Sequence, residues 1–154
     1  MKPVFIESGR FVLRPLAHKD VNERYLSWIN GEGRSDYIEY SKQKKSRSDI
    51  ISYVDSKNDK EDILLLGIFV KETGEHIGNI KYEPIDFIAR FSIVGILIGE
   101  ENWRGRGVAT EVIKHSSMWL HERFNMEKIV LSVNVDNIAA VRAYEKADFK
   151  KRKT

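Results

Sequence analysis

The stretch WRGRGVAT, residues 103–110, joins two segments of opposite character. The run before it, RFSIVGILIG (90–99), is rich in β-branched residues and predicts a buried central strand. After it, apolar residues recur at helical spacing from Val108 onward, which predicts a long amphipathic helix. The N-terminus of a helix leaves backbone N–H groups unpaired and favours a bound phosphate. Gly105 and Gly107 would let the backbone approach such a ligand closely.

Two common nucleotide-binding motifs do not fit this turn. The dinucleotide pattern G-x-G-x-x-G fails because Thr110 occupies the position of its third glycine. No G-K-[ST] follows either, which excludes a Walker loop. Arg104 and Arg106 could still contact a pyrophosphate or a ribose phosphate. Taken alone, however, the turn is better explained as an ordinary glycine-rich connection that carries two solvated arginines.

A second motif, NVDNIAAVRAYEKADF, spans residues 134–149. Asn137, Ala140 and Tyr144 are spaced i, i+3 and i+7, so they share one face of a predicted helix. Such a face can carry a polar anchor, a small residue that leaves room, and a phenol one turn further on. In isolation, Tyr144 is better explained by packing of the helix on the sheet, and Asn137 could serve only as a helix cap.

Together, and in this order, the two motifs resemble those of the GNAT (Gcn5-related N-acetyltransferase) superfamily. The family turn reads Q/R-x-x-G-x-G/A, and RGRGVA at 104–109 fits it at every fixed position. The pattern N-x-x-A-x-x-x-Y, which follows the next strand in the family, matches Asn137 to Tyr144. The subgroup that the chain most resembles acts on ribosomal-protein N-termini, polyamines and amino sugars. The resemblance runs from about residue 10 to 150 and is sharp across 92–149.

The resemblance implies acetyl-coenzyme A as the cosubstrate and an N-acetyltransferase that acts on a primary amine of a small molecule or peptide. In the family, the amides of the turn hold the pyrophosphate, and the preceding strand separates from its neighbour to pair with the pantetheine amides. The coenzyme-binding residues implied in this way are Leu97, Ile98, Arg104, Gly105, Arg106, Gly107, Val108, Ala109, Asn134 and Asn137. The implied catalytic residue is Tyr144, a general acid that protonates the departing thiolate. A phenol pKa of ~10 and a thiol pKa of ~8.5 make that proton transfer feasible.

A general base is not identified from the sequence. Many relatives carry a glutamate on the strand before the turn, where this chain has Ser92 and Ile93. A base would help, because only about 0.1% of a lysine-like amine is neutral near physiological pH. The acidic residues that remain candidates are Asp36, Glu39, Glu83, Glu100 and Glu101. The region 30–60 matches no motif, so a ribosomal-protein N-terminus, a polyamine, an amino-sugar nucleotide and a small antibiotic all stay open as acceptors.

The remaining periodicity predicts an α/β (α+β) fold, in which a mixed central sheet carries helices on both faces within a single domain, residues 1–154. Asp20, with Glu23 three residues on, predicts the N-cap of the first helix, and Gly31 its end. Relatives usually add a closing strand past the position of Phe149, whereas this chain stops at Thr154. Either the domain manages without that strand, or a partner chain covers the open edge, or the product is shortened; an uncovered edge strand favours a homodimer. The predicted elements are strands at 10–15, 63–70, 76–85, 90–99 and 128–135, and helices from about 21, from about 48, from 108 and at 137–147.

Composition narrows the functional classes. The 154 residues contain no cysteine, which excludes disulfides and thiol metal sites, and the net charge is +3. No signal peptide and no apolar run near ~20 residues is evident, so we expect a cytoplasmic protein without a membrane span. His115 and His121 do not share a helix face, and no metal is expected. His18 and His76 are expected at the surface or at strand ends.

Two other functions compete with catalysis. A non-catalytic acyl-CoA-binding module, acting as a sensor in a complex, would keep the turn but would not need Tyr144. A nucleic-acid-binding protein would need a basic face with stacking aromatic residues, whereas the aromatic residues here are mostly spaced for a core. The sequence therefore favours an enzyme without a nucleic-acid partner.

Overall fold

The computed structural model describes residues 4–30, 44–133, 136–146 and 149–150. Six strands and four helices are formed within these ranges, and single 3-10 turns lie at His18–Asp20 and Glu101–Trp103. The elements are β1 (Ile6–Glu7), β2 (Phe11–Arg14), α1 (Glu23–Asn30), α2 (Arg47–Asn58), β3 (Leu64–Val70), β4 (His76–Asp86), β5 (Phe91–Ile98), α3 (Val108–Phe124), β6 (Lys128–Leu131) and α4 (Ile138–Lys146).

The strands form one six-stranded sheet in the order β1-β2-β3-β4-β5-β6. Each of the first five strands is antiparallel to its neighbour. Short connections join β3 to β4 and β4 to β5, as is usual for antiparallel neighbours. Strands β5 and β6 are parallel, because α3 carries the chain back between them. The predicted mixed sheet is thus confirmed.

Helices cover both faces of the sheet. Strand β3 is buried along its whole length, and its side chains alternate between two cores. Leu66 and Ile68 join the core beneath α3, whereas Leu65 and Phe69 join the core beneath α1 and α2. The α3 core also takes Val108, Val112, Ile113 and Leu120, and the other core takes Tyr25, Trp28, Ile29, Ile50 and Val54.

The predicted cap of α1 is wrong by two residues. The side-chain oxygen of Asn22 accepts the Tyr25 N–H at 3.0 Å, so Asn22 caps this helix. Asp20 instead closes the preceding 3-10 turn, where it accepts the Ala17 N–H at 2.7 Å and forms an ion pair with Arg14 at 3.0 Å. A carboxylate that closes its own turn is not available to cap a helix that begins later.

Two strands also differ from prediction. Strand β1 was not predicted, and β6 ends at Leu131 rather than at residue 135. Phe149 and Lys150 are not in a strand, while Gly31, Asn134 and residues 151–154 lie outside the described ranges. Within those ranges, no helix combines the length and apolar character that a membrane span requires.

Candidate active site

The glycine turn before α3 adopts the backbone conformation that its glycines predict. Gly105 has φ 72° and Gly107 has φ 77°, both in the left-handed region that other residues rarely enter. A Cβ at Gly105 would meet no atom within 4 Å, so the turn is open on that side. Gly107 is the N-cap of α3, and no side chain within the described ranges caps the helix. The first-turn amides are therefore left to an external acceptor such as a phosphate.

Strand β5 loses one neighbour just before this turn. Its ladder with β6 ends where Val94 pairs with Leu131. Residues 95–98 continue to pair with β4, but on the other side they have no strand partner among the described residues. A slot therefore opens beside the backbone of Leu97 and Ile98, at the position that the family resemblance implied. The Ile98 carbonyl accepts a hydrogen bond from Arg104 Nε at 3.1 Å.

The two arginines of the turn are held differently. Arg104 folds back on the end of β5 through the Ile98 contact. The Arg106 guanidinium lies over the Trp103 ring, 3.9 Å from its centroid, and donates to the Asn102 carbonyl at 3.3 Å. Both side chains belong to exposed residues, so their charges lie at the mouth of the turn.

Tyr144 lies on α4, close in the chain to a contact with α3. The Thr110 hydroxyl donates to the carbonyl of Ala143 at 3.4 Å, so the residue before Tyr144 is tied to the first turn of α3. The Tyr144 ring is half-buried and packs edge-on to Phe149, with centroids 6.1 Å apart. Burial raises the pKa of the phenol, so it stays protonated at neutral pH. None of the described residues hydrogen-bonds to its hydroxyl.

Asn137 serves as the N-cap of α4. Its side-chain oxygen accepts the Ala140 N–H at 3.2 Å, and its carbonyl accepts the Val141 N–H at 3.0 Å. Asn137 therefore acts as a helix cap, a role that the sequence allowed. Asn134, the other asparagine of the motif, lies outside the described ranges.

Comparison with known proteins places this geometry in a family. The sequence model described as an acetyltransferase (GNAT) domain matches residues 10–150. The chain belongs to the GNAT acetyltransferase family. A curated relative, an N-alpha-acetyltransferase of Saccharolobus solfataricus, is 37% identical over 75 residues, or 49% of this chain and 44% of the relative. The match thus spans less than half the length of that curated protein.

Solved GNAT structures share the fold. A GNAT-family acetyltransferase from Bacillus anthracis superposes with a TM-score of 0.81 at 15% identity, over 97% of this chain and 86% of that one. RimL, a ribosomal L7/L12 alpha-N-protein acetyltransferase in complex with coenzyme A, superposes with a TM-score of 0.82 at 17% identity, over 94% and 82%. At these identities the likeness concerns the fold, and it confirms the predicted mixed sheet with helices on both faces.

A brace that the sequence did not reveal holds the GNAT turn against the N-terminal hairpin. One oxygen of Glu111 accepts the Ser8 hydroxyl and, at 2.8 Å, the Arg10 N–H. The other oxygen accepts Arg10 Nε at 2.7 Å, and the same guanidinium donates to the Arg106 carbonyl at 2.9 Å. Four groups from residues 8–10, 106 and 111 are thereby connected around the start of α3.

The charge of Glu111 is stabilised by this brace. Burial alone would raise the pKa of the carboxyl, but the hydrogen bonds from Ser8 and Arg10 and the Arg10 charge bring it below its usual value. The partners are about a hundred residues apart in the chain, so no local pattern announces them. The one signal available was an acidic side chain in the first helical turn, which the helix dipole favours.

The acidic residues considered as bases lie in different settings. Glu100 accepts the Trp28 indole N–H at 2.8 Å and lies 3.6 Å from Arg24 Nε. Glu83 forms ion pairs with Lys57 and Lys81. Glu101 is exposed, and Asp36 and Glu39 lie outside the described ranges. Glu83 and Glu100 are thus both engaged with neighbouring side chains, and neither is left as an unpaired base.

His76, expected at the surface or at a strand end, is the first residue of β4, and it is buried there. The imidazole is 9% exposed, stacks on Phe69 with centroids 4.6 Å apart, and contacts the Asn79 side-chain oxygen at 2.9 Å. Burial lowers the pKa of His76, so the ring is neutral. Aromatic packing from α1 reaches the strand end and encloses it, with Trp28 4.8 Å away. His18 is exposed, as expected, and pairs with Asp55. No group of metal-ligating side chains occurs among the described residues.

Proposed function

We propose that this chain is an acetyl-CoA-dependent N-acetyltransferase that moves an acetyl group directly to a primary amine. The observation that carries the proposal is the uncapped N-terminus of α3, preceded by two glycines at positive φ and by a strand that has lost one neighbour. Family membership and the coenzyme A complex of RimL support it. Coenzyme A carries a pyrophosphate that suits the turn and a thioester that supplies the acetyl group.

The residues present fit such a ligand. The amides of Gly105 to Ala109 would hold the pyrophosphate, because open backbone at a helix N-terminus binds phosphate without reorganisation. Arg104 and Arg106 would add charge at its edge. Leu97 and Ile98 would offer backbone groups to the amides of the pantetheine arm. Asn137 contributes through the position of α4, since its side chain already caps that helix.

Tyr144 would act as the general acid. In the transfer, the amine nitrogen forms a bond to the acetyl carbon, the carbon–sulfur bond breaks, and the sulfur takes the electron pair. The Tyr144 hydroxyl would give its proton to that sulfur, and the proton lost by the amine would leave to solvent. A phenol that burial keeps protonated is suited to this role. Asn134 remains a proposed coenzyme contact, and the single-domain organisation, the homodimer and the cytoplasmic location remain predictions.

Calorimetric titration of acetyl-CoA into matched glycine variants tests the proposal. Gly105 and Gly74 share a positive φ, 72° and 78°, and a Cβ at either would meet no atom within 4 Å. Glutamate at each position therefore introduces a similar backbone strain, about 1–2 kcal/mol. We expect Gly105→Glu to abolish acetyl-CoA binding through charge repulsion and a filled cradle, while Gly74→Glu binds like the wild type.

The outcomes separate the competing functions. If both variants bind acetyl-CoA equally well, the pyrophosphate does not bind at this turn. Wild-type binding without acetyl transfer to any amine in a broad panel would instead favour the acyl-CoA-binding module. Failure of the folded wild-type protein to bind acetyl-CoA would overturn both.

A further inference from the structure

The face of the sheet opposite α3 has an open floor on β5, made by Ile93 and Gly95. Both residues are exposed, whereas their neighbours Ser92 and Val94 point to the α3 core and are buried. A Cβ at Gly95 would meet no atom within 4 Å, so there is free space above this strand within the described part of the chain. Gly95 is also the first residue of β5 beyond its ladder with β6. The open floor therefore borders the slot.

A cluster of charged side chains stands at one side of the open floor. Lys81 lies directly across the ladder from Gly95, and on its other side it pairs with Leu65, which belongs to the core beneath α2. Its ammonium donates to the Tyr53 hydroxyl at 3.0 Å and lies 3.4 Å from Glu83. Lys57 donates to both oxygens of Glu83 at 2.9 Å. Helix α2 and strand β4 together thus build this lysine cluster, which consists of Tyr53, Lys57, Lys81 and Glu83.

The lysine cluster carries one positive charge in excess, because two ammonium groups face a single carboxylate. The lysines hold the pKa of Glu83 low, despite burial that would raise it, so the carboxylate remains ionised. The side chains of Lys57 and Lys81 are 21% and 35% exposed, so both ammonium groups are accessible to solvent, and the pairing of Lys81 with Gly95 places Lys81 beside the open floor. Each ammonium has three N–H donors, so the contacts to Glu83 and Tyr53 do not use all of them.

From this arrangement we infer that the acceptor is a primary amine that also carries an anionic group, a carboxylate or a phosphate, bound by Lys81 and Lys57 while the amine lies over Gly95. The inference rests on the proposed function, since it names the substrate class of that same site. A charged group on the acceptor gains from the surplus ammonium, whereas a polyamine would bring cations against it. An amine over Gly95 would lie next to the slot, where the acetyl group would be presented.

Binding of paired probes tests this inference independently of turnover. The probes are O-phosphoethanolamine against ethanolamine, β-alanine against its amide, and putrescine as a cationic amine. Each is titrated into the protein with coenzyme A present and assayed for acetylation with acetyl-CoA. We expect at least one anionic probe to bind about tenfold or more tightly than its neutral partner, and putrescine to bind weakest. The two pairs distinguish a phosphate from a carboxylate.

Three variants of the lysine cluster and one control lysine variant localise the effect. Lys81→Met should remove the preference for the anionic probe, and Lys81→Arg should retain most of it, because arginine keeps the charge. If Lys81→Met does not fold, Lys57→Met provides a second test of the preference for the anionic probe. Lys114→Met, which removes an exposed lysine from α3 on the opposite face, should change nothing. Acetyl-CoA affinity should be the same in all four.

Several results would overturn the inference. They are equal binding of charged and neutral partners, no measurable binding of any probe, a preference for putrescine, or a preference that survives Lys81→Met and Lys57→Met. The proposed function fails separately, by loss of acetyl-CoA binding or of all acetyl transfer, and those two readouts do not depend on the probe pairs.

Discussion

On the α3 side of the sheet, the candidate coenzyme site is made mostly of backbone: two glycines, a helix N-terminus and a stretch of strand that is paired on one side only. On the α2 side, the candidate acceptor site is made of side chains from α2 and β4 around an exposed glycine. The first site depends on residues that are close together in the chain, and the second on residues about thirty positions apart. A backbone site can therefore be recognised from a short motif, whereas a side-chain site requires the fold.

Of the variants that distinguish the two sites, Tyr144→Phe is expected to have the largest effect, and that effect is on kcat. It removes the hydroxyl while the ring keeps its contact with Phe149. We expect kcat to fall about a hundredfold or more, as for loss of a general acid, with the acetyl-CoA Kd unchanged. Steady-state kinetics with a working acceptor, combined with calorimetry, measures both.

A matched control for this variant is Tyr53→Phe, on the opposite face. It removes one of the two partners of Lys81 and should act on acceptor binding rather than on kcat at saturation. If Tyr144→Phe leaves kcat unchanged, Tyr144 has only a packing role and the proposed acid must be sought elsewhere.

The difference between the two faces explains which parts of the site could be predicted. The turn at 104–109 was predicted because glycines at positive φ and a following amphipathic helix leave a local pattern. The positions of strands β2 to β5 along the chain were predicted because alternating and continuous apolar runs follow directly from burial. The brace of Glu111 and the burial of His76 could not be predicted, since each arises from contacts made only when distant elements pack.

Removal of the charge on Glu111 is expected to weaken coenzyme binding by about tenfold. Glu111→Gln retains the size of the side chain but cannot form the ion pair with Arg10, whose guanidinium also holds the Arg106 carbonyl. The turn would then lose part of its preorganisation, which costs affinity rather than chemistry. We expect the acetyl-CoA Kd to rise while kcat at saturation changes little.

Glu122→Gln is the control, because Glu122 is exposed on the same helix, away from the turn. The brace would have no part in coenzyme binding if Glu111→Gln and Glu122→Gln bound acetyl-CoA equally well. An equal fall in kcat and in affinity would show that Glu111 acts on the reacting atoms, contrary to a positioning role.

The N-cap of α2, Ser46, is expected to affect stability but not activity, and by a smaller amount. The Ser46 hydroxyl accepts the Asp49 N–H at 3.1 Å, and the Asp49 carboxylate accepts the Ser46 N–H at 2.9 Å. Ser46→Ala should lower the free energy of unfolding by about 1 kcal/mol, through loss of this capping box. Urea denaturation measures it, and Ser56→Ala, within the same helix, should change stability less. If both variants lose the same free energy of unfolding, the capping hydrogen bond at the start of α2 does not stabilise the protein more than an ordinary serine contact does.

The smallest expected effect is the dependence of stability on pH through Glu111. Its pKa is lowered in the folded protein by the hydrogen bonds from Ser8 and Arg10, although burial acts in the opposite direction. A carboxyl whose pKa is depressed on folding contributes stability above its unfolded value, about 4.3, and loses that contribution as the pH falls through the folded value. Between about pH 7 and pH 3, the wild type should therefore lose more stability than Glu111→Gln, by less than about 1 kcal/mol. The α2 side contains Glu83, whose pKa is also lowered, by Lys57 and Lys81. Glu83 titrates in both proteins, so the difference between their unfolding curves isolates Glu111.

Parallel curves of unfolding free energy against pH would show that the Glu111 charge does not stabilise the brace, and that the coenzyme side of the sheet is no more sensitive to acid than the rest.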